Sequence, residues 1–333
     1  MPSLPLAVAH VNDIASVAST LAIEQQRRGM RTLVLDPAKP GARLPFPWKL
    51  AAAPLRFAAM TAVLAQVAAS RIDLLHIHYA TQALIGAFAA RPWIVHCHGT
   101  DIRGLDPRSA WGRYVGTVLQ RAGAVVYSTP DLARDAERFR SDAIFLPNPI
   151  DVEQFAPSSH ANRDVLLGVK LDSIKGAEVA IESIALLLDR RPETTVTVIN
   201  SGSLVGEAQR RLGRRVRYIE PSSHEDMPQL LRQHRTTLGQ FRLGILSQYE
   251  LESMATGLVV VADIHCPNPD ASVAPVLPAR SAGEAADRLQ EVLDDESSLL
   301  RLSQAGRSWV VDHHAVASVV DRLEALYRTV RAR

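Results

Sequence analysis

Short apolar runs alternate with helical patterns along almost the whole chain, and this constrains the fold more than any other feature. In the first half the strand-like runs are Leu4–His10, Thr32–Asp36, Leu74–His78, Trp93–His98, Ala124–Tyr127 and Ala143–Leu146. Helical patterns lie between them near Ile14–Arg28, Leu50–Ala69, Thr81–Ala90, Arg108–Arg121 and Pro130–Phe139. Several runs are apolar on both faces, as strands are when helices cover both sides of a parallel sheet. The stretch Pro147–Arg163 breaks the rhythm with Pro147, Pro149, Pro157 and Ser158-Ser159-His160, and reads as a linker. The alternation then restarts, with strands at Asp164–Val169, Thr195–Asn200, Val216–Ile219, Thr237–Gln240 and Leu258–Ala262. Its helices are expected at Lys175–Arg190, Val205–Leu212, Glu225–Gln233, Tyr249–Thr256 and Ala282–Leu293. Leu299–Val330 predicts two more helices with a break near His313-His314. At 333 residues the chain holds two α/β domains of about 150 residues each. In such folds ligands sit beyond the carboxyl ends of the strands, so two facing domains would share one cleft.

Composition removes several function classes. The formal net charge is only +2, far from the basic excess of a nucleic-acid binder. Two cysteines, Cys97 and Cys266, are too few for a disulfide framework or a four-cysteine zinc site. The opening Met1–Asp13 lacks a basic leader, and Leu50–Ser70 is broken by Pro54 and Arg56, so a cytosolic protein is expected. No G-x-G-x-x-G follows the first strand, where the turn reads His10-Val11-Asn12-Asp13-Ile14-Ala15-Ser16, and there is no P-loop. A G-x-S-x-G nucleophile elbow is also missing. His76, His78, His96, Cys97 and His98 cluster at two strand ends. Alternation puts His76/His78 and His96/His98 on one face of their strands and turns Cys97 away. Such histidines more often line a polar cleft or meet buried hydrogen bonds than hold zinc. An Asp-x-Asp metal motif is absent as well.

Two stretches carry chemistry. Only four of the 37 basic residues are lysines, and Lys170 and Lys175 share one strand–helix turn. Two ammonium groups beside a helix N-terminus suit a diphosphate, against the alternative of solvated surface lysines. Further on, Gly239–Gly257 runs from a strand through a loop of small residues into a short helix that contains Glu252. A carboxylate there is either a solvated helix face or an acceptor for paired ligand hydroxyls.

These pieces together resemble the GT-B glycosyltransferases, in particular the large retaining family four that uses nucleotide sugars. The resemblance rests on His98-Gly-Thr-Asp101, Pro147-Asn-Pro-Ile-Asp151 with Phe155, Lys170 and Lys175-Gly176, and Glu252-Ser-Met-Ala-x-Gly257, in the family's order. It implies two facing Rossmann-like domains with a cleft, an N-terminal acceptor domain over 1–155 and a C-terminal nucleotide-sugar domain over 156–312. Residues 313–333 would form a C-terminal helix with the option of returning to the N-terminal domain. Under this resemblance Lys170 and Lys175 hold the donor diphosphate, with amides around Ser247 and Gln248. Glu252 binds the ribose, Glu220–Ser223 sits by the base, and His98 faces the reacting sugar. Asn12, Asp13, Asp101 and Gly244 belong to the donor sugar or acceptor.

Gly244 departs from the family, whose E-x7-E motif has glutamate there. The donor is expected to be a nucleotide-diphosphate sugar, UDP-linked rather than GDP-linked, with no cofactor and no metal. The acceptor is a hydroxyl compound that the residues do not identify. Arg43, Lys49 and Arg56 offer an anionic membrane or phosphorylated acceptor, though a solvated loop edge is the preferred reading. Two alternatives share the architecture: a nucleotide-sugar epimerase, and a non-catalytic GT-B partner subunit.

Overall fold

The computed structural model describes residues 6–40, 51–158 and 162–332. Its chain divides into two compact units, Met1–Pro149 with Val316–Arg333, and Ile150–Ala315. Each unit is a six-stranded sheet, and every strand pairing in both is parallel.

In the first unit the strands are β1 (Ala7–Val11), β2 (Arg31–Leu35), β3 (Leu74–His78), β4 (Trp93–Cys97), β5 (Ala124–Tyr127) and β6 (Ile144–Phe145), in the order β2-β1-β3-β4-β5-β6. The helices are α1 (Val17–Arg27), α2 (Ala53–Ala69), α3 (Leu84–Phe88), α4 (Ala110–Arg121) and α5 (Ala133–Phe139). Alternate strand residues face opposite layers. Ala9, Leu75, Ile77, Val95, Cys97 and Val125 pack with Val63 and Val67 of α2 and Val115 of α4. On the other face Val8, Leu74, Ile94 and Val126 meet Leu21 of α1 and Val320, Leu323 and Tyr327 of the last helix. That face needs a helix from the far end of the chain, because α1 alone leaves Ile94 and Val126 to be covered.

The second unit has β7 (Arg163–Leu167), β8 (Val196–Ile199), β9 (Arg217–Ile219), β10 (His234–Leu238), β11 (Val259–Ala262) and β12 (Leu277–Pro278), ordered β12-β11-β10-β7-β8-β9. Its helices are α6 (Ala177–Arg190), α7 (Val205–Leu212), α8 (Met227–Leu231), α9 (Gln248–Thr256), α10 (Ala282–Asp294) and α11 (Glu296–His314). The chain then bends at Ala315, with ψ at 129°, and α12 (Val316–Arg331) rejoins the first unit.

The division differs from the sequence boundaries at 155 and 312. Ile150 and Phe155 are buried with Met254, Leu258 and Trp309, so the core claims the linker's start for the second unit. The two-residue strand β12 was not anticipated, being too short to show a period. Helix α1 starts later than Ile14, because Asn12, Ala15 and Ser16 adopt left-handed backbone angles that no helix admits. Among the described residues no helix is long and apolar enough to cross a membrane.

Strand order reverses between β1 and β3 in the first sheet and between β7 and β10 in the second. Segments leaving these strands diverge to opposite faces and open a crevice at the carboxyl ends.

Candidate functional site

At the first switch point the turn after β1 carries Asn12, with φ at 73°. Its backbone N–H donates to Leu35 O at 2.7 Å and its Nδ2 to the carbonyl of His78 at 2.6 Å. A carbonyl accepts only, so the amide orientation is settled; the Oδ1 acceptor is buried and has no partner among the described residues. Asn12 lines a pocket of about 540 Å3 with Ile14, Lys39, Arg56, Met60 and Tyr79. Arg43 and Lys49 lie outside the described residues.

Two residues expected beside sugar or acceptor do other work. Asp13 Oδ1 accepts from the Ala18 N–H at 2.9 Å and so caps α1. The Asp101 carboxylate is buried and accepts from Ala80, Gly99 and His98 N–H at 2.8, 2.8 and 3.1 Å. Burial pushes its pKa up while these backbone groups hold it down. Asp101 therefore shapes the loop that carries His98, and its oxygens are turned to backbone.

His98 itself is half-buried just past β4. It ends an array of imidazoles on one face of the sheet. His10, His76, His78 and His96 are fully buried, and neighbouring rings are stacked or tilted with centroids 4.1 to 5.4 Å apart. Burial drives His10 down to about 4 and His98 to about 3, and puts His76, His78 and His96 well below the usual value. The sequence missed His10, whose place beside His76 depends on the β1–β3 register. Cys97 lies in the opposite core. The groups His10/His76/His78 and His78/His96/His98 each bring one nitrogen per ring within 4.8 Å of the others. Metal coordination needs in-plane lone pairs converging on one point. Here both His78 nitrogens are engaged by His10 and His98 at 3.0 Å.

At the second switch point the loop after β7 holds both lysines. Lys170 is exposed and pairs with Asp172 at 2.8 Å, an anion that the sequence reading did not weigh. The hydrogen bond from Lys170 and those from Ser203 hold Asp172 down at about 2. Lys175 is half-buried, with Nζ 3.4 Å from Gln240 Oε1. It closes a 3-10 turn ahead of α6, and its carbonyl accepts from Phe241 N–H at 2.8 Å, joining the β7 and β10 loops.

The loop from β10 into α9 is built around Glu250, which is fully buried. Its Oε1 accepts from Gln240 N–H at 3.0 Å, and Oε2 accepts from Ser247 N–H at 2.9 Å and from the Ser247 hydroxyl. This capping box was present in the sequence as Ser247-x-x-Glu250. It revises the expected phosphate role of Ser247, whose amide and hydroxyl are already used inside the loop. Gln248 likewise turns its Nε2 to Glu252 Oε1 at 3.0 Å.

Glu252 is 3% exposed, which removes the solvated-face alternative. Its Oε1 also meets Nε2 of His224 at 2.8 Å. His224, one residue past the expected base-side segment Glu220–Ser223, had no local signal that would pair it with a helix 28 residues on. Gly244 has φ at 71°, and an added Cβ would meet the His265 ring at 2.5 to 2.7 Å. A glutamate there is therefore excluded while His265 keeps this position. The His265 Nδ1 lies 3.3 Å from Asp263.

Comparison with known proteins places the chain among glycosyltransferases. A glycosyl transferase 4-like domain model matches residues 13–149, and a glycosyl transferase-like model matches 184–325. The phosphatidyl-myo-inositol mannosyltransferase of Mycobacterium tuberculosis is 27% identical, over 96% of this chain and 92% of that one. The D-inositol 3-phosphate glycosyltransferase of Corynebacterium diphtheriae is 23% identical, over 77% of this chain and 70% of that one. Among solved structures, sucrose-phosphate synthase from Thermosynechococcus elongatus superposes with a TM-score of 0.73 at 17% identity, covering 98% of this chain and all of that one. Anabaena HepE in complex with UDP-glucose gives 0.72 at 14% identity, covering 97% of this chain and 100% of that one. With two parallel sheets in the GT-B arrangement of strands and helices, and family models spanning most of its length, the chain belongs to the GT-B glycosyltransferases of group 1.

Proposed function

We propose that the protein transfers a sugar from a nucleotide-diphosphate sugar, UDP-linked, to an acceptor hydroxyl with retention of anomeric configuration and without a divalent metal. The observation that carries this reading is the second switch point. A buried carboxylate, Glu252, lies at the end of the same loop that meets the half-buried Lys175 through Gln240. Glu252 suits the paired hydroxyls of a ribose and the lysines suit a diphosphate. In the first unit His98 faces the reacting sugar. HepE, whose structures hold UDP and UDP-glucose, supports UDP as the first nucleotide to test.

Calorimetry with UDP tests the reading. Lys175→Ala is expected to weaken UDP by ten- to hundredfold, the loss of one charge-assisted contact worth about 1.5–3 kcal/mol. Lys170→Ala is expected to do less, because its side chain is 62% exposed and already shared with Asp172. Equal UDP affinity in wild type and both variants would remove the assignment. Activity should survive EDTA, and the anomeric configuration of the product, read by NMR, tests retention. Donor incubated alone separates the epimerase, which turns over without acceptor.

Glu252→Gln is expected to raise the donor KM more than it lowers kcat. If Glu252 holds the ribose, a 2′-deoxy nucleotide binds wild type more weakly than UDP, and the variant discriminates much less. A collapse of kcat at constant donor affinity would instead put Glu252 at the reacting carbon.

For the acceptor, two relatives are named for inositol-containing substrates. The pocket in the first unit is lined by Asn12 together with the basic Lys39 and Arg56. Polyols carrying a phosphate are therefore the first acceptors to screen.

A further inference from the structure

One hydrogen-bonded chain of side chains starts at His98 and runs into the interior of the first unit. His98 Nε2 lies 3.0 Å from His78 Nδ1, His78 Nε2 lies 3.0 Å from His10 Nδ1, and His10 Nε2 lies 2.8 Å from Gln25 Oε1. Gln25, on α1, then reaches with Nε2 to the Tyr327 hydroxyl at 3.4 Å, and that hydroxyl lies 2.7 Å from His76 Nδ1. His10, Gln25 and His78 are all at 0% exposure, so no water competes for these bonds.

Burial keeps the three linked imidazoles neutral. A neutral imidazole donates from one nitrogen and accepts at the other. In a row of such rings, setting one proton sets them all. The Gln25 carboxamide oxygen only accepts, so His10 donates to it from Nε2 and accepts at Nδ1. His78 must then donate from Nε2 and accept at Nδ1. His98 donates from Nε2 in turn, and its Nδ1 carries a bare lone pair.

We propose that Gln25 is a positioning residue: through His10 and His78 it keeps the His98 proton on Nε2 and so presents Nδ1 as a hydrogen-bond acceptor to a hydroxyl of the bound sugar or polyol. A solvated imidazole exchanges tautomers freely. Here a reversal must move the protons of three rings and turn the Gln25 amide over together. A hydroxyl arriving at His98 therefore meets one preset partner. The tautomer follows from the Gln25 carboxamide standing with Oε1 on His10 and Nε2 on the Tyr327 hydroxyl, and its consequence for turnover rests on the reading of His98 as the sugar-facing residue.

Long-range proton–nitrogen NMR of the full chain, labelled with 15N-histidine, decides it. The expected spectrum has a protonated Nε2 and an unprotonated Nδ1 at His98, His78 and His10. A protonated Nδ1 at His98 in wild type overturns the proposal, whether or not any sugar is transferred. Gln25→Met keeps the length of the side chain and removes the acceptor. In that variant His98 is expected to shift to the Nδ1–H form or to a mixture, because His10 Nε2–H would be left buried without a partner. Its kcat is expected to fall about tenfold, the scale of one mis-set hydrogen bond, while UDP affinity, measured as a control on the second unit, changes by less than about twofold. A folded Gln25→Met protein with the wild-type His98 tautomer overturns the role of Gln25. One equivalent of zinc bound at His78, with loss of its ring protons, would overturn the proton chain as well.

Discussion

Lowering the pH from 7 to 5 is expected to unfold the first unit well before the second. His10, His76, His78, His96 and His98 are held in the neutral form, with His10 at about 4, His98 at about 3 and the others well below the ordinary value, in each case chiefly by burial. In the unfolded chain each titrates near 6.5. Below that pH the unfolded state binds more protons, so stability is fully present above about 6.5 and drains away as pH falls towards the folded values. His10 and His98 then cost about 2 kcal/mol each between pH 7 and 5, and His76, His78 and His96 act in the same direction. About 4 kcal/mol is already a large share of the stability of an ordinary domain. In the second unit His234 is lowered in the same way, to about 4. Amide hydrogen exchange at stepped pH should show β1, β3 and β4 losing protection while β7 and β10 keep theirs. A melting temperature that stays flat from pH 7 to 4.5 would contradict this. His96→Leu sharpens the test, since both ring nitrogens of His96 are buried without partners among the described residues. It should remove one proton from the acid transition and leave stability at pH 7 unreduced.

Glu250→Ala is expected to cost about 2–6 kcal/mol in the second unit and to abolish the ordered loop before α9. The side chain is fully buried and accepts from two backbone N–H groups and one hydroxyl. Removing it leaves both amides without partners, each at about 1–3 kcal/mol. Gln240, held by this carboxylate, is also the group beside Lys175 and the donor to Ile245 O at 2.8 Å. UDP affinity should therefore fall although Glu250 itself is turned away from any ligand. Glu250→Gln, which keeps the volume and one acceptor, should fall between the two. Urea denaturation checks both variants, and an unchanged midpoint for Glu250→Ala would show that the loop stands without its carboxylate.

Most strands and helices were legible because their signals are local. Leu74–His78 and Ala124–Tyr127 appear as read, since short runs dominated by apolar residues have few other ways to be buried. Val205–Leu212 appears as read because its pattern is amphipathic at the helical period. The 3-10 turns at Ala80–Gln82 and Pro130–Leu132 were absorbed into longer expected helices, as a single tight turn has no period of its own. The Ser247-x-x-Glu250 box was equally local and was passed over in favour of Glu252, though it explains the loop better.

The sequence by itself determined the two parallel α/β halves, the position of the lysine turn and the short helix bearing Glu252. Each depends on composition and spacing within about twenty residues. Tertiary structure alone decided which polar groups meet. His10 reaches His78 across 68 positions, Gln25 reaches Tyr327 across 302, and His224 reaches Glu252 across 28. It also decided that Asp13 and Asp101 serve their own backbones, and that His265 fills the space a side chain at Gly244 would need. A hydrogen bond depends on where a side chain points within a few tenths of an ångström, and that direction is set by strand register and helix docking, which no local pattern records.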